Sequence, residues 1–307
     1  MRRIADGFTY LKLAAVSVIW GGTFVAGRYL ADQVDPLLAA SLRFVLASVA
    51  LSLYMLFARV RLTCPSPRQW VQLATLGFFG IFFYNLCFFY GLHYVNASRA
   101  SLIVALNPAV IGLAGWWLFN ECLERAKCVG IALCLGGAAA VIISRNPLLL
   151  QGNVDAWRGD LLILGCVVGW GVYSLGSRQL NQSLGPLQTV TWSILLGTVM
   201  LLAAILVTGR MTLAGLSVLH VSQWASLGYL GIMGSALAYI GYYDGIRRIG
   251  ATRSGVFIAL NPLTAVICAA LLLGEHLTLP MLLGGGVILL GIYLCNKPLA
   301  QGKAMEI

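Results

Sequence analysis

Residues Tyr90 to Pro108 read YGLHYVNASRASLIVALNP, and 154 residues later Asp244 to Pro262 read DGIRRIGATRSGVFIALNP. Seven of the nineteen columns are identical: Gly91/Gly245, Ala97/Ala251, Arg99/Arg253, Ala105/Ala259, Leu106/Leu260, Asn107/Asn261 and Pro108/Pro262. The same offset carries Glu121, Gly130 and Gly137 onto Glu275, Gly284 and Gly291. An arginine, an asparagine and a proline recurring in register are more than shared apolar bias produces, so the chain contains an internal duplication. An offset of 150 extends it toward the N-terminus, matching Trp20-Gly21 and Arg28 to Trp170-Gly171 and Arg178, and Pro36-Leu37 to Pro186-Leu187.

The composition sets where this duplication lives. Of 307 residues, 60% are hydrophobic and 10% charged, against about a quarter charged in a soluble domain, and the mean hydropathy is +0.88. A bilayer-spanning helix needs about 20 apolar residues. Polar punctuation divides the apolar sequence into ten such spans, at 9–29, 36–57, 69–91, 98–119, 126–143, 160–178, 186–207, 222–244, 253–273 and 279–296. Met1 to Arg3 ahead of an apolar run resembles a secretory signal, but the run is long, lacks a clear small-residue cleavage site and is followed by further spans, so a retained first helix is expected.

The one long connection runs from Ser144 to Gly159 and carries Pro147, Gly152, Asp155 and Arg158. It divides the chain into a first repeat at 1–145, a linker at 146–159, a second repeat at 160–296 and a tail at 297–307. Five spans per repeat is an odd number, so the second repeat enters the membrane from the opposite side. The expected fold is therefore an all-α integral membrane protein of ten transmembrane helices in two inverted five-helix repeats, an architecture that places solute sites near the midplane between the repeats.

With the N-terminus cytoplasmic, that side collects fourteen Lys and Arg residues and the other side five, with Arg43 inside a span. The positive-inside bias then puts both termini in the cytoplasm. It also accounts for the +10 net charge: the positive residues stand singly or in pairs between spans, not on one face as a nucleic-acid binder requires. The eight cysteines lack disulfide or metal-site spacing, and no HExxH, GxSxG or paired mid-membrane acids suggest an enzyme. No metal or cofactor is expected.

Candidate site residues follow from what is costly in lipid. Pro108 and Pro262 each lack a backbone donor and clash with the carbonyl four residues earlier, which leaves the carbonyls of Val104 and Ile258 seeking partners. Asn107 and Asn261 stand beside them, either to satisfy those carbonyls or to reach a solute. Mirrored interruptions of this kind are the best sequence pointer to a transporter site. Trp20, Thr23, Trp170 and Tyr173 fall near the midplane of the first span of each repeat, marking either a lined cavity or close packing on the neighbouring glycines. Tyr84, Asn85 and Tyr239 place hydroxyl or amide groups at depth among many aromatic residues. Arg43 lies about two turns inside its span, either to pair with a substrate carboxylate or to snorkel toward the interface. Glu121, Asp244 and Glu275 end their spans and are candidates for gating or proton coupling.

These residues resemble the drug/metabolite transporter superfamily, in its ten-helix group with two EamA-type repeats. The likeness rests on WGGTF at Trp20 to Phe24, Arg43-Phe44, the LNP segments ending at Pro108 and Pro262, and the Glu…Gly…Gly patterns at 121/130/137 and 275/284/291. It covers essentially the whole chain. It implies a bacterial inner-membrane carrier, often an exporter of amino acids or related metabolites, with a central cavity alternately open to either side. The second repeat departs from the pattern at Ser193, the counterpart of Arg43. A drug or organic-cation exporter is the alternative within this class, and an intramembrane enzyme or structural membrane protein lies outside it. The expected partners are the lipid bilayer and a small-molecule solute, with protons as an optional coupling ion, no nucleic acid, and a monomeric or homodimeric assembly.

Overall fold

The computed structural model describes residues 2–31, 33–95, 97–119, 124–145, 156–209, 219–264, 267 and 278–296. These residues form helices and short connections, with no strand among them. In hydrocarbon each backbone N–H and C=O must be paired within its own segment, which a helix alone achieves without a closed barrel. In chain order the helices are α1 (Arg2–Ala31), α2 (Pro36–Phe57), α3 (Pro67–Tyr94), α4 (Ala97–Val104), α5 (Asn107–Phe119) and α6 (Arg125–Arg145). The second half contributes α7 (Ala156–Ser183), α8 (Pro186–Val207), α9 (221–249), α10 (Ala251–Gly255) and α11 (Leu279–Asn296). Eight stretches among the described residues are long and apolar enough to cross a membrane, α4 and α5 together making one of them.

The ends of these helices are written locally. Asp35 caps α2, its carboxylate accepting from the Leu37 and Leu38 amides ahead of Pro36. Its counterpart before Pro186 is Gly185, at φ 83°, a left-handed conformation that glycine adopts without strain. Ser66 and Gln69 close a reciprocal capping box on α3. Helix α7 begins at Ala156, four residues inside the stretch read from sequence as linker. Residues 146–155, most of the span expected beyond Thr264 and the tail at 297–307 lie outside the described residues. The first helix packs into the bundle through Leu13, Val16, Trp20 and Phe24, all buried.

The two halves meet through residues that are each other's counterparts. The rings of Trp20 and Trp170 lie 5.1 Å apart, and the hydroxyls of Ser48 and Thr198 are 2.9 Å apart where α2 crosses α8. Helices α6 and α11 pack backbone to backbone: a Cβ on Gly130 would lie 2.7 Å from the Gly291 carbonyl oxygen, and one on Gly137 would lie 2.6 Å from that of Gly284. Gly130 sits early in α6 and Gly291 late in α11, so the paired helices run antiparallel. Contacts in which residue i meets j and j's counterpart meets i's counterpart are the signature of a two-fold axis. With the helices spanning the bilayer antiparallel, that axis lies in the membrane plane.

Two π-helical turns were not legible in the sequence: Gly77–Phe83 within α3 and Tyr229–Leu237 within α9. They occupy matching positions, and each glycine lies on the backbone of the opposite half. A Cβ on Gly77 would fall 2.9 Å from the Ser193 carbonyl oxygen, and one on Gly231 would fall 2.6 Å from that of Arg43. Since Ser193 and Arg43 are counterparts, the two contacts are one contact repeated. Single π turns inside α-helices are frequent at functional sites, and here they seat α3 and α9 tightly against α8 and α2.

The α6/α11 seam gives a direct test. Gly137→Ala should cost about 1–3 kcal/mol through overpacking, read as a fall in thermal stability of the purified protein. Gly136→Ala, one residue away with nothing within 4 Å of the added carbon, should leave stability unchanged or raise it. Equal effects from the two substitutions would contradict the seam.

Candidate functional site

Both Asn-Pro segments interrupt their spans. The first breaks between α4 and α5, with Ala105-Leu106 as a turn, and the second tightens from α10 into a 3₁₀ turn over Val256–Leu260. The freed carbonyls are rescued differently in the two halves. The Asn107 side-chain amide donates to the Val104 carbonyl at 2.9 Å, whereas the Ile258 carbonyl accepts the backbone N–H of Asn261. In both cases the side-chain oxygen is left over: Asn107 Oδ1 and Asn261 Oδ1 are buried and have no hydrogen-bond partner among the described residues. Asn107 is 1% exposed and Asn261 3%. An unmet buried acceptor costs about 1–3 kcal/mol, and the fold carries that cost twice at equivalent positions.

The two asparagines line one cavity, together with Trp20, Thr23, Phe24, Arg43, Tyr84, Phe88, Val104, Trp170, Tyr239 and Ile258. The space open to water centres is about 30 Å³, room for about two water molecules and less than a metabolite needs. This conformation is therefore closed around the site. Eight of the expected residues form its wall: Trp20, Thr23, Arg43, Tyr84, Asn107, Trp170, Tyr239 and Asn261. Asn85, Pro108, Tyr173 and Pro262 are not part of that wall. The prolines act by breaking the helices, Asn85 supports Arg43, and Tyr173 bonds Ser193 at 3.1 Å. Phe24, Phe88, Val104 and Ile258 escaped the sequence reading because an apolar residue facing a cavity has no signal that separates it from one facing lipid.

Trp20 and the neighbouring glycines satisfy both readings offered by the sequence. The indole N–H of Trp20 donates to the Gly234 carbonyl at 3.0 Å while its ring faces the cavity. Gly22 serves packing, with Tyr229 approaching so closely that a Cβ would clash with its hydroxyl; that hydroxyl bonds the Ile19 carbonyl at 2.7 Å.

Arg43 does not snorkel. It is 3% exposed, and its guanidinium is held inside the protein, Nε donating to Ser235 Oγ and Nη1 to Asn85 Oδ1, each at 2.9 Å. The Asn85 amide is fixed in turn by the Ile81 carbonyl at 2.8 Å, and Ser235 by the Leu230 carbonyl at 2.9 Å, five residues back across the π turn. The rings of Phe44 and Phe88 stand 5.3 and 5.9 Å from the charge. No carboxylate pairs with Arg43 among the described residues. Placing an arginine at a helix centre in a bilayer costs about 2.5–3.5 kcal/mol on insertion scales. Hydrogen bonds to two neutral acceptors and two ring faces offset part of this, and no carboxylate among the described residues compensates the positive charge at the cavity wall.

The two-fold symmetry fails around this charge. Arg43 faces a serine counterpart in Ser193, Asn85 a tyrosine in Tyr239, Ser235 an isoleucine in Ile81, and Thr23 a tyrosine in Tyr173. The wall keeps two duplicated pairs, Trp20/Trp170 and Asn107/Asn261, while the residues around Arg43 have diverged, so the two halves surround the cavity with different chemistry.

Ion pairs tie the halves together at both ends of the bundle. Lys12, early in α1, pairs with Asp244 near the end of α9, which also accepts from Arg248 Nε at 2.9 Å. Arg99 at the start of α4 makes a bidentate pair with Asp160 in the first turns of α7, at 2.7 and 2.5 Å. Because successive spans alternate direction, these pairs lie on opposite sides of the membrane. Asp244, expected as a gating or coupling group, thus sits in an inter-half ion pair. Glu121 and Glu275 lie outside the described residues. The described His, Cys, Asp and Glu residues form no cluster suited to a metal.

The model of the EamA-like transporter family matches residues 7–143 and again 157–297. Among curated proteins, the chain is 25% identical over 284 residues to the uncharacterized transporter YetK of Bacillus subtilis, covering 92% of this chain and 85% of that protein. It is 26% identical over 285 residues to a probable terminal-alkyne amino-acid exporter of Streptantibioticus cattleyicolor, covering 93% and 92%. A solved crystal structure superposes with a TM-score of 0.76 at 20% identity, over 95% of this chain and 99% of that one, a likeness of fold. This multi-pass membrane protein, with a matching unit in each half, belongs to the EamA-like transporter family.

Proposed function

We propose that the protein is a secondary transporter of the bacterial inner membrane that exports a small metabolite, such as an amino acid or derivative, by alternating access. Both termini face the cytoplasm, and residues 1–145 and 160–296 are the units that rock against each other. The observation that carries this reading is the mirrored pair of unmet amide oxygens, Asn107 Oδ1 and Asn261 Oδ1, at the breaks of two spans beside one closed cavity. Asn181 and Asn296 also carry unmet oxygens, but the pair at 107 and 261 alone among these asparagines lines the cavity. The relative named as a probable terminal-alkyne amino-acid exporter supports the substrate class.

The organic-cation alternative is weakened by Arg43. At an effective dielectric of about 20, a second positive charge about 6 Å away is disfavoured by ~3 kcal/mol, and no carboxylate among the described residues screens it.

Alternating access requires the two ends to be nearly balanced, with a difference of a few kcal/mol at most. The inter-half ion pairs suit this need, because each is partly exposed and pairs of this kind are worth about 1 kcal/mol or less. Lys12–Asp244 would latch the cytoplasmic end and Arg99–Asp160 the outer end.

Two outcomes are expected. Reconstituted into liposomes, the protein should move metabolites identified by comparing media of overexpressing and deletion cells. An Asn107→Ala/Asn261→Ala double variant should lose at least about tenfold of that flux while remaining folded; undiminished flux in a well-folded variant would rule out the cavity as the site. For the latches, a cysteine at Thr23 should be labelled from the outer side up to about fivefold faster in Asp160→Asn and correspondingly slower in Asp244→Asn. Shifts in the same direction would contradict opposite gates.

A further inference from the structure

A groove of about 610 Å³ runs between α1, α9 and the start of α8, and it shares no lining residue with the central cavity. Ala15, Val16 and Ile19 on α1 and Leu237 and Ile240 on α9 make its walls apolar, while one end carries Lys12, Asp244 and Arg248. Ala15 and Leu237 are exposed, so the groove opens sideways to lipid. Leu237 and Arg248 stand 11 residues apart, a rise of about 16 Å along the helix, which is close to one leaflet of a hydrocarbon core about 30 Å thick. The corresponding seam at the other end of the bundle, between α7 and α3, is filled. A Cβ on Gly165 would lie 2.9 Å from Cys87 Sγ, and one on Gly169 would lie 2.7 Å from the Phe79 carbonyl oxygen. At those positions α1 has Ala15 and Ile19, whose side chains hold α9 away. The charges are as one-sided as the space: Lys12, Asp244 and Arg248 stand where the other seam has Leu162, Tyr90 and Tyr94.

We propose that this groove binds an anionic phospholipid, its phosphodiester bridging Lys12 of one half to Arg248 of the other and an acyl chain lying along the apolar walls. A groove that is charged at one end, apolar beyond it and one leaflet deep has the outline of such a molecule. Two cations against one carboxylate leave one positive charge in excess, the complement of a phosphodiester. Donors remain for it as well. Lys12 and Arg248 Nε bond the same oxygen, Asp244 Oδ2, which leaves the outer guanidinium nitrogens and the remaining ammonium hydrogens without a partner among the described residues. Phosphatidylethanolamine brings a cation of its own, and the carboxylate that could receive it is already shared. Because the lipid lies across α1 and α9, it ties the halves at the end where Lys12 and Asp244 pair. With the orientation proposed above, this is the cytoplasmic leaflet; the binding itself does not depend on transport.

The test titrates the full-length protein, delipidated in detergent, with phosphatidylglycerol and reads retained lipid by native mass spectrometry. Phosphatidylglycerol should bind roughly 5–30-fold more tightly than phosphatidylethanolamine of the same chains, the range for one or two cations acting on a headgroup. A Lys12→Gln/Arg248→Gln variant should lose that preference. Arg247→Gln, which removes a neighbouring cation outside the groove, should keep it. The ratio of the two lipids is insensitive to the fraction of protein that folds. Ala15→Trp, which fills the groove without altering its charge, should lower retention of both lipids at least about tenfold. Glycerol phosphate, the headgroup anion without chains, should displace neither at the same concentration. Equal binding of the two lipids would overturn the assignment, as would a preference that survives Lys12→Gln/Arg248→Gln or is lost equally in Arg247→Gln. Retention unchanged by Ala15→Trp, or displacement by glycerol phosphate, would overturn it too.

Discussion

The rest of the structure depends on contact between counterparts across an axis in the plane of the membrane. Hydrocarbon offers helices no hydrophobic drive to associate, so they adhere where small residues let backbones touch. The Gly130/Gly291 and Gly137/Gly284 contacts of α6 with α11, and the glycines of the π turns against α2 and α8, are that adhesion repeated about the axis. Trp20 with Trp170 and Ser48 with Thr198 mark where the axis passes. Because the halves are inverted copies, any conformation that closes one end has a near-equivalent that closes the other. The alternating access proposed above thus needs no device beyond the duplication.

Symmetry supplies the frame, and its local failure supplies chemistry. A perfectly symmetrical site would present matching groups to both ends of a solute. Replacement of Arg43 by Ser193 and of Asn85 by Tyr239 in the second half leaves one fixed positive charge on one side of the cavity, while the Asn-Pro breaks remain common to both halves. The conserved backbone lesion and the diverged side chains have different tasks: the first opens polar groups at a depth where lipid tolerates none, and the second gives the opening a direction.

Much of this was legible in the sequence because its signals are local or repeated. Span positions follow from apolar runs, the inversion from an odd span count, and the helix breaks from the geometry of proline. Asn107 and Asn261 were identified by recurrence, and the structure places both on one cavity with Trp20, Trp170, Tyr84 and Tyr239. What could not be read depends on how helices rotate about their axes. Whether Arg43 reaches outward or inward is decided by Ser235, 192 residues away in sequence, and by a π turn that exposes it. Phe24, Phe88, Val104 and Ile258 line the cavity through the same rotations. The Arg99–Asp160 pair went unnoticed because neither residue is unusual at a span end until the fold brings them together. The small volume of the cavity depends on the same rotations, which the sequence does not specify.

The most direct measurement of the inverted architecture compares two counterparts in the connections after the first span of each half. Gln33 and Ser183 are exposed, 150 residues apart and equivalent in the repeat. In a cysteine-free background, a membrane-impermeant thiol reagent added outside intact cells should label Gln33→Cys at once and should reach Ser183→Cys after the membrane is permeabilised. Labelling of both positions from the same side would mean that the halves are not inverted, and the account built on their two-fold contact would fall with it.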